Sequence, residues 1–334
     1  MKRIPSLDGM RAISISLVIA GHFFEERGWI GFWSGYANTG VRIFFVISGY
    51  LITTLLLREH EKTSTINLRE FYVRRAYRIL PAAFAFMVPV LILYRHDLRW
   101  YQAAAAVLYL VNFDPSRPWF IGHLWSLAVE EQFYLLWPSV LKRWFRYRRA
   151  ILLCVVAVAP IYSMACYALK VHNGGYGTFP AVADNLAVGC LLAMFAPRSP
   201  RIRRLPAFCM LLGLVMIPQF SAETPARTLL ALLVLWPALH LCIAGVLLHV
   251  IQNPYRVLNL GSVMFLGRIS YSLYLWQQLF FLSPQPRPVW LALPLAMVFA
   301  CVSYYVVEQP MLRLRDGTKR DLRIRYVLAT SAGD

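Results

Sequence analysis

The sequence predicts an all-α fold: a polytopic membrane bundle of about ten transmembrane helices with both termini cytoplasmic. Three observations predict it. Of the 334 residues, 59% are hydrophobic and only 15% charged. The apolar residues recur from end to end in runs long enough to cross a hydrocarbon core ~30 Å thick. And 24 of the 34 Lys and Arg residues fall on alternate connecting segments, those that become cytoplasmic if the amino terminus is inside. That distribution explains the formal charge of +18 as topology. It argues against nucleic acid as a partner and leaves the lipid bilayer as the surrounding phase.

Taken in order, the spans fall at about 9–28, 38–57, 77–95, 122–141, 150–169, 179–196, 205–220, 227–249, 263–282 and 288–308. The opening Met-Lys-Arg and the apolar run after it resemble a signal peptide. Asp8, Arg11 and His22 interrupt that run and no small-residue cleavage site follows, so it reads as an uncleaved first span. The second contains Gly40, Ser48 and Gly49, small residues that permit close helix approach. A further apolar run at about 101–112 is short for a span and reads as a re-entrant or interfacial helix. One membrane domain, 1–310, is expected, followed by a basic cytoplasmic tail, 311–334. The six cysteines show no metal-type spacing and read as small buried hydrophobes, with no metal expected.

Within this apolar chain, residues 122–138 place a carboxylate pair, a histidine and a serine in a segment that should cross the membrane. Ionisable groups in hydrocarbon are costly and mark function by default. On a helix, His123, Ser126, Glu130 and Tyr134 share one face. Adjacent helical residues point ~100° apart, which leaves Glu131 off that face. Glu130 is the candidate catalytic carboxylate; Ser126, Tyr134 and His123 are candidate substrate contacts, although a histidine at the membrane edge is equally well explained by interfacial solvation.

The first span carries a second signal. Asp8, Arg11, Val18 and His22 share a face, and eleven residues separate Arg11 from His22, roughly 16 Å at 1.5 Å per residue. His22 then lies at a depth similar to Glu130, and a carboxylate beside an imidazole is the usual pairing for general-base work. A hydrogen bond to a neighbouring helix is the bland alternative for His22, as a salt bridge within the bundle is for Glu130. A third signal is the cluster Arg74, Arg75 and Arg78 where the third span begins. Positive-inside bias explains part of it, but clustered guanidiniums also suit bidentate recognition of phosphate. Arg42 and Asp184 lie shallow on the outer side and either contact a polar acceptor or pair with each other. Arg268 and Glu308 are most simply an ion pair. Tyr162, Tyr167, Tyr176 and Trp119 either line a sugar site or belt the interface.

Together these segments resemble the acyltransferase 3 family, membrane enzymes that O-acylate, most often O-acetylate, carbohydrates and some small molecules. The resemblance is carried by Ser6-Leu-Asp-Gly-Met-Arg11 with His22, by Phe44-Phe-Val-Ile-Ser-Gly-Tyr50, and by Arg75-Ala-Tyr-Arg78. It continues in Trp125-Ser-Leu-Ala-Val-Glu-Glu-Gln-Phe-Tyr134, Ile269-Ser-Tyr-Ser-Leu-Tyr-Leu-Trp276 and Ser303-Tyr-Tyr-Val-Val-Glu-Gln-Pro310, in order along nearly the whole chain. It implies that His22 is the catalytic histidine, that Glu130 is essential, and that Arg75 and Arg78, with Arg11, serve an acyl-CoA donor such as acetyl-CoA. The implied acceptor is a hydroxyl of a carbohydrate or glycolipid, such as an exopolysaccharide or O-antigen, and the implied location is the cell inner membrane. Many members have histidine where this chain has Gln277, and some continue into an SGNH-type hydrolase domain; the form expected here is the stand-alone one. A proton-coupled transporter using His22 and Glu130 as a relay is the rival reading; the two matching halves common in such proteins are absent.

Overall fold

The computed structural model describes residues 5–26, 30–171, 177–196, 201, 203–216, 224–281 and 287–317. Among them the regular elements are helices, with no strand. A helix occupies each of the ten predicted places. In order these are α1 (Pro5–Glu26), α2 (Ile30–Thr63), α3 (Leu68–Leu93), the short α4 (Trp100–Val107) and α5 (Trp119–Gly122), and α6 (Leu124–Arg143). They continue with α7 (Arg148–Ala168), α8 (Phe179–Phe195), α9 (Arg204–Met216), α10 (Pro225–Leu230), α11 (Trp236–Gln252), α12 (Gly261–Gln277) and α13 (Val289–Val302). Among the described residues six helical stretches are long and apolar enough to cross a membrane: Pro5–Glu25, Gly35–Thr63, Leu68–Leu93, Phe145–Ala168, Pro225–Gln252 and Val289–Gly317. The helices at 179–195 and 206–216 are apolar but shorter. This is a multi-pass membrane protein.

Local chemistry sets the helix limits. Asn67 caps α3, its side chain accepting from the Glu70 amide at 3.0 Å. The helix therefore starts at Leu68, earlier than the apolar run suggests, and Arg74, Arg75 and Arg78 stand inside it instead of at its mouth. Thr224 caps α10 in the same way. A π-helical segment, Ala231–Leu235, joins α10 to α11, and another, Ser303–Glu308, extends α13. The run at 101–112 becomes α4 followed by a single 3₁₀ turn, Val111–Phe113, not a span. Of the cysteines, Cys166 and Cys190 are buried as expected, whereas Cys154 and Cys209 are exposed on the bundle's perimeter. The basic tail from 318 onward and Tyr176 lie outside the described residues.

Helix α2 is the axis of the bundle, packed most extensively against α1 and α8. The α2–α8 crossing depends on two glycines. A Cβ on Gly189 would collide with the Val46 carbonyl of α2, and one on Gly49 with the Leu186 carbonyl of α8. The contact is reciprocal, and both positions are buried in apolar surroundings. In a bilayer, where lipid tails are as apolar as leucine, such backbone-to-backbone packing is a principal source of helix association. Trp137 of α6 donates to Thr53 of α2 at 2.9 Å, tying α6 to the same axis.

Candidate functional site

Three cavities lie in series alongside α1 and α2. The first, of about 1280 Å³, is lined by the start of α1, the end of α2 and the start of α3, and includes Arg11, Arg74, Arg75, Arg78, Arg268 and Glu308. The second, of about 100 Å³, is a throat that shares Arg11, Arg75, Arg78 and Arg268 with the first. The third, of about 590 Å³, shares Val41 and Tyr274 with the throat and is lined by His22, Asn38, Arg117, His123, Trp125 and Gln278 among others. The path therefore runs from a basic chamber at one end of the bundle to a histidine chamber at the other.

The basic chamber discriminates among its arginines. Arg74 is held by Glu59 at 3.2 Å and Glu70 at 2.8 Å, and Arg11 lies 3.5 Å from Asp8. Among the described residues Arg75 and Arg78 take part in no ion pair. Arg75 rests its guanidinium over the rings of Phe71 and Tyr134, at 5.7 and 5.6 Å, and its Nε is buried without an acceptor. Burying a cation with unfilled donors is costly unless something else supplies the acceptors. The three arginines of the sequence cluster thus separate into one committed to protein carboxylates and two available to an anion.

The expected polar face of α6 is realised as one wall of the path. Ser126, Glu130 and Tyr134 line the throat and His123 lines the histidine chamber, whereas Glu131 lines none of the three cavities. Ser126 is hydrogen-bonded to the Tyr274 hydroxyl at 2.6 Å, and Tyr274 in turn donates to the His123 carbonyl at 2.9 Å. Glu130 accepts from the Ser48 hydroxyl, and Tyr134 donates to the same Ser48 oxygen at 3.1 Å. His123 is buried, with neither ring nitrogen in a well-formed hydrogen bond.

Direct pairing of His22 with Glu130 is not what the fold produces. His22 Nδ1 lies 2.9 Å from Gln277 Oε1 of α12, and Glu130 is engaged by Ser48 of α2. The depth estimate placed both groups near mid-membrane, but depth says nothing of azimuth. His22 stands in the last turns of α1 and faces the histidine chamber, while Glu130 faces the throat. Facing an amide oxygen, Nδ1 carries the proton, which leaves Nε2 with its lone pair, the form a base requires. Gln277 was visible in the sequence only as a departure from a family pattern; its position puts it on the histidine.

Two other expectations change. Arg268 and Glu308 both line the basic chamber but form no ion pair: Arg268 donates to the Met264 carbonyl at 3.3 Å, and Glu308 accepts from Ser272 at 3.4 Å. Arg42 and Asp184 do not pair directly either, because His240 of α11 stands between them. Sequence reasoning missed Ser48, Tyr274 and His240 as partners. Ser48 and Tyr274 stand in motifs that carry the resemblance but with no role attached, and His240 is an isolated polar residue in an apolar run. Trp119 lines none of the three cavities: its ring packs edge-on against Tyr94 and Phe120, and its carbonyl accepts from Gln278.

Comparison with known proteins agrees with this architecture. A peptidoglycan O-acetyltransferase, OatA, of Listeria monocytogenes is 29% identical over 82% of this chain and 49% of its own length. A putative peptidoglycan O-acetyltransferase of Bacillus subtilis, YrhL, is 30% identical over 92% of this chain and 55% of its own. A putative O-acetyltransferase of Staphylococcus aureus is 29% identical over 93% and 57%. The chain therefore spans about half the length of the curated relatives it matches. No solved structure gives a significant match. The family described as an acyltransferase domain matches residues 4–308, nearly the whole chain, and this chain belongs to that acyltransferase 3 family.

Proposed function

We propose that the protein transfers an acyl group, acetyl in the first instance, from acyl-CoA to a carbohydrate hydroxyl across the bilayer, in the cell inner membrane. The observation that carries the reading is the series of cavities, with ion-pair-free guanidiniums at one end and an oriented histidine at the other. Arg75 and Arg78, with Arg11, bind the phosphates of CoA in the basic chamber, on the cytoplasmic side by positive-inside topology. A chain-like pantetheine arm is slender enough to thread the throat; a nucleotide is not. Relatives named for peptidoglycan support a glycan acceptor, which approaches from the histidine chamber.

In the transfer, the acceptor hydroxyl oxygen bonds to the thioester carbonyl carbon and gives its proton to His22 Nε2. The carbon–sulfur bond breaks, and the proton passes to the departing thiolate, giving the ester and free CoA. Gln277 keeps the proton on Nδ1 throughout. Glu130 lies among Arg11, Arg75, Ser48 and Tyr134, where its charge offsets the guanidiniums that line the throat. The transporter reading required a relay between His22 and Glu130, and their separate partners supply none.

The reading is tested with protein in nanodiscs, labelled acetyl-CoA and a muropeptide or oligosaccharide acceptor. A charge-assisted hydrogen bond contributes about 1.5–3 kcal/mol, so Arg75→Ala and Arg78→Ala should each raise KM for acetyl-CoA roughly 10–100-fold. An unchanged KM removes the donor role. Gln277→Leu should lower kcat roughly 10–100-fold, within the range of general-base catalysis, while leaving KM for acetyl-CoA unchanged. Gln277→Glu, which restores an oxygen acceptor for Nδ1–H, should recover part of the loss. A Leu variant as active as the parent would show that the amide does not orient the ring.

A further inference from the structure

A fourth cavity, of about 170 Å³, lies on the other flank of α2. Val41 lines the throat and the histidine chamber, and its neighbour Arg42 lines this separate space. Its walls come from the last turns of α7, the first turns of α8, and the chain from α10 into α11. Helix α6 ends beside the start of α3, where Tyr72 is hydrogen-bonded to Ser139 at 3.0 Å, so α7 begins at the basic end of the bundle. The last turns of α7 consequently place this cavity toward the end that holds the histidine chamber.

A polar row forms its base. Asp184 Oδ2 lies 2.9 Å from His240 Nδ1, and His240 Nε2 lies 2.5 Å from Arg42 Nη1. A guanidinium only donates, so Nε2 bears a lone pair and the ring proton sits on Nδ1, which meets Asp184 at ion-pair distance without a well-formed hydrogen bond. The row is charge-balanced. Arg42 is 8% exposed, stacks 4.7 Å from the centre of the Trp236 ring, and makes one hydrogen bond to the protein among the described residues. Arg42 borders the cavity, and its Nε is buried without an acceptor. A row that served only to clip α2, α8 and α11 together would be expected to engage that donor with a protein oxygen.

The other polar groups on the wall offer the complementary half. Thr228 gives its hydroxyl proton to the Thr224 carbonyl at 3.1 Å, and Ser163 directs its own toward the Ala181 carbonyl at 3.5 Å. The Ser163 oxygen therefore presents a lone pair, as does the Asp184 carboxylate. A ligand that satisfies this wall must accept from Arg42 and donate elsewhere within a small volume, which is what a hydroxylated ring does. A phosphate or carboxylate only accepts, and would meet Asp184 and the Ser163 lone pair unfavourably.

We infer that this cavity is a saccharide subsite, holding one sugar unit of the acceptor on Arg42 while another unit reacts in the histidine chamber. It rests on the carbohydrate-acceptor reading, and the test measures binding and not transfer, so that either idea can fail alone.

The probe is N-acetylglucosamine, observed by saturation-transfer NMR against protein in nanodiscs, with inorganic phosphate as competitor. Saturation transfer to the sugar is expected in the parent protein and equally in His22→Ala. Arg42→Gln should weaken binding about tenfold, the effect of one charge-assisted hydrogen bond. Ser163→Ala, which leaves the Asp184–His240–Arg42 row intact, should also weaken it. Retained acetyl-CoA binding in each variant verifies that the bundle is folded; should Arg42→Gln fail that check, Ser163→Ala alone decides. Undiminished saturation transfer in the folded variants, displacement of the sugar by phosphate, or no transfer in the parent each overturns the subsite. Loss of acetyl-CoA turnover with sugar binding intact would instead count against the acyl-transfer reading.

Discussion

Replacing His22 with alanine is expected to reduce acetyl transfer by at least roughly 10²–10⁴-fold, the range general-base catalysis supplies. The variant should still fold and bind acetyl-CoA, since His22 is part of neither the basic chamber nor the α2–α8 crossing. Among the described residues its one polar contact is with Gln277, and a smaller side chain there merely enlarges a chamber already of about 590 Å³. The measurement is single-turnover transfer of labelled acetyl, beside a donor-binding isotherm on the same preparation. Transfer at the parental rate would remove His22 from the chemistry. Loss of donor binding would show instead that the histidine supports the fold.

The second large effect is structural. Gly189→Leu should abolish stable assembly, because the side chain would have to occupy the space of the Val46 carbonyl and the Tyr50 amide on α2. Overpacking costs about 1–3 kcal/mol even where side chains can move aside, and here the obstacle is backbone. Gly189→Ala is the milder form and should lower the thermal midpoint in detergent by roughly 5–10 °C. Gly49→Ala should do the same from the other side of the crossing. The double variant should lose less than the sum of the two, since once the helices part both side chains find room. A midpoint unchanged in both single variants would mean that α2 and α8 do not meet as closely as described.

How much of this was legible in the sequence follows from what each signal measures. Helix placement was legible because a bilayer demands apolar runs, and a helix stands at each predicted position. The polar face of α6 was legible because 3.6-residue periodicity is a property of one segment. His123, Ser126, Glu130 and Tyr134 do line one path, with Glu131 outside it. Partnership between helices was not legible. Pairing His22 with Glu130 used depth, which a sequence encodes, but the contact depends on the rotation of α1 about its own axis, which is set by packing at Gly21 against Ala37 and at Gly40 against Ser14 and Val18. The start of α3 was missed because Asn67 caps it ahead of the apolar run. Arg74 and Arg75 are adjacent and chemically identical, and only the positions of Glu59 and Glu70 tell them apart.

The narrow throat has an electrical consequence. A membrane that maintains a proton gradient cannot tolerate an open aqueous path between two water-filled chambers, yet both large cavities here need access from their own sides. The throat of about 100 Å³ is bordered by Arg11, Arg75, Arg78 and Arg268, with Phe44, Phe45, Tyr271 and Tyr274 narrowing it. The four guanidiniums outnumber the Glu130 carboxylate there, and net positive charge in a constricted, poorly polarisable passage raises the barrier to hydronium and metal cations, as basic residues do in water-selective pores. The guanidiniums proposed to hold the donor thus also oppose the leakage of cations from one chamber to the other.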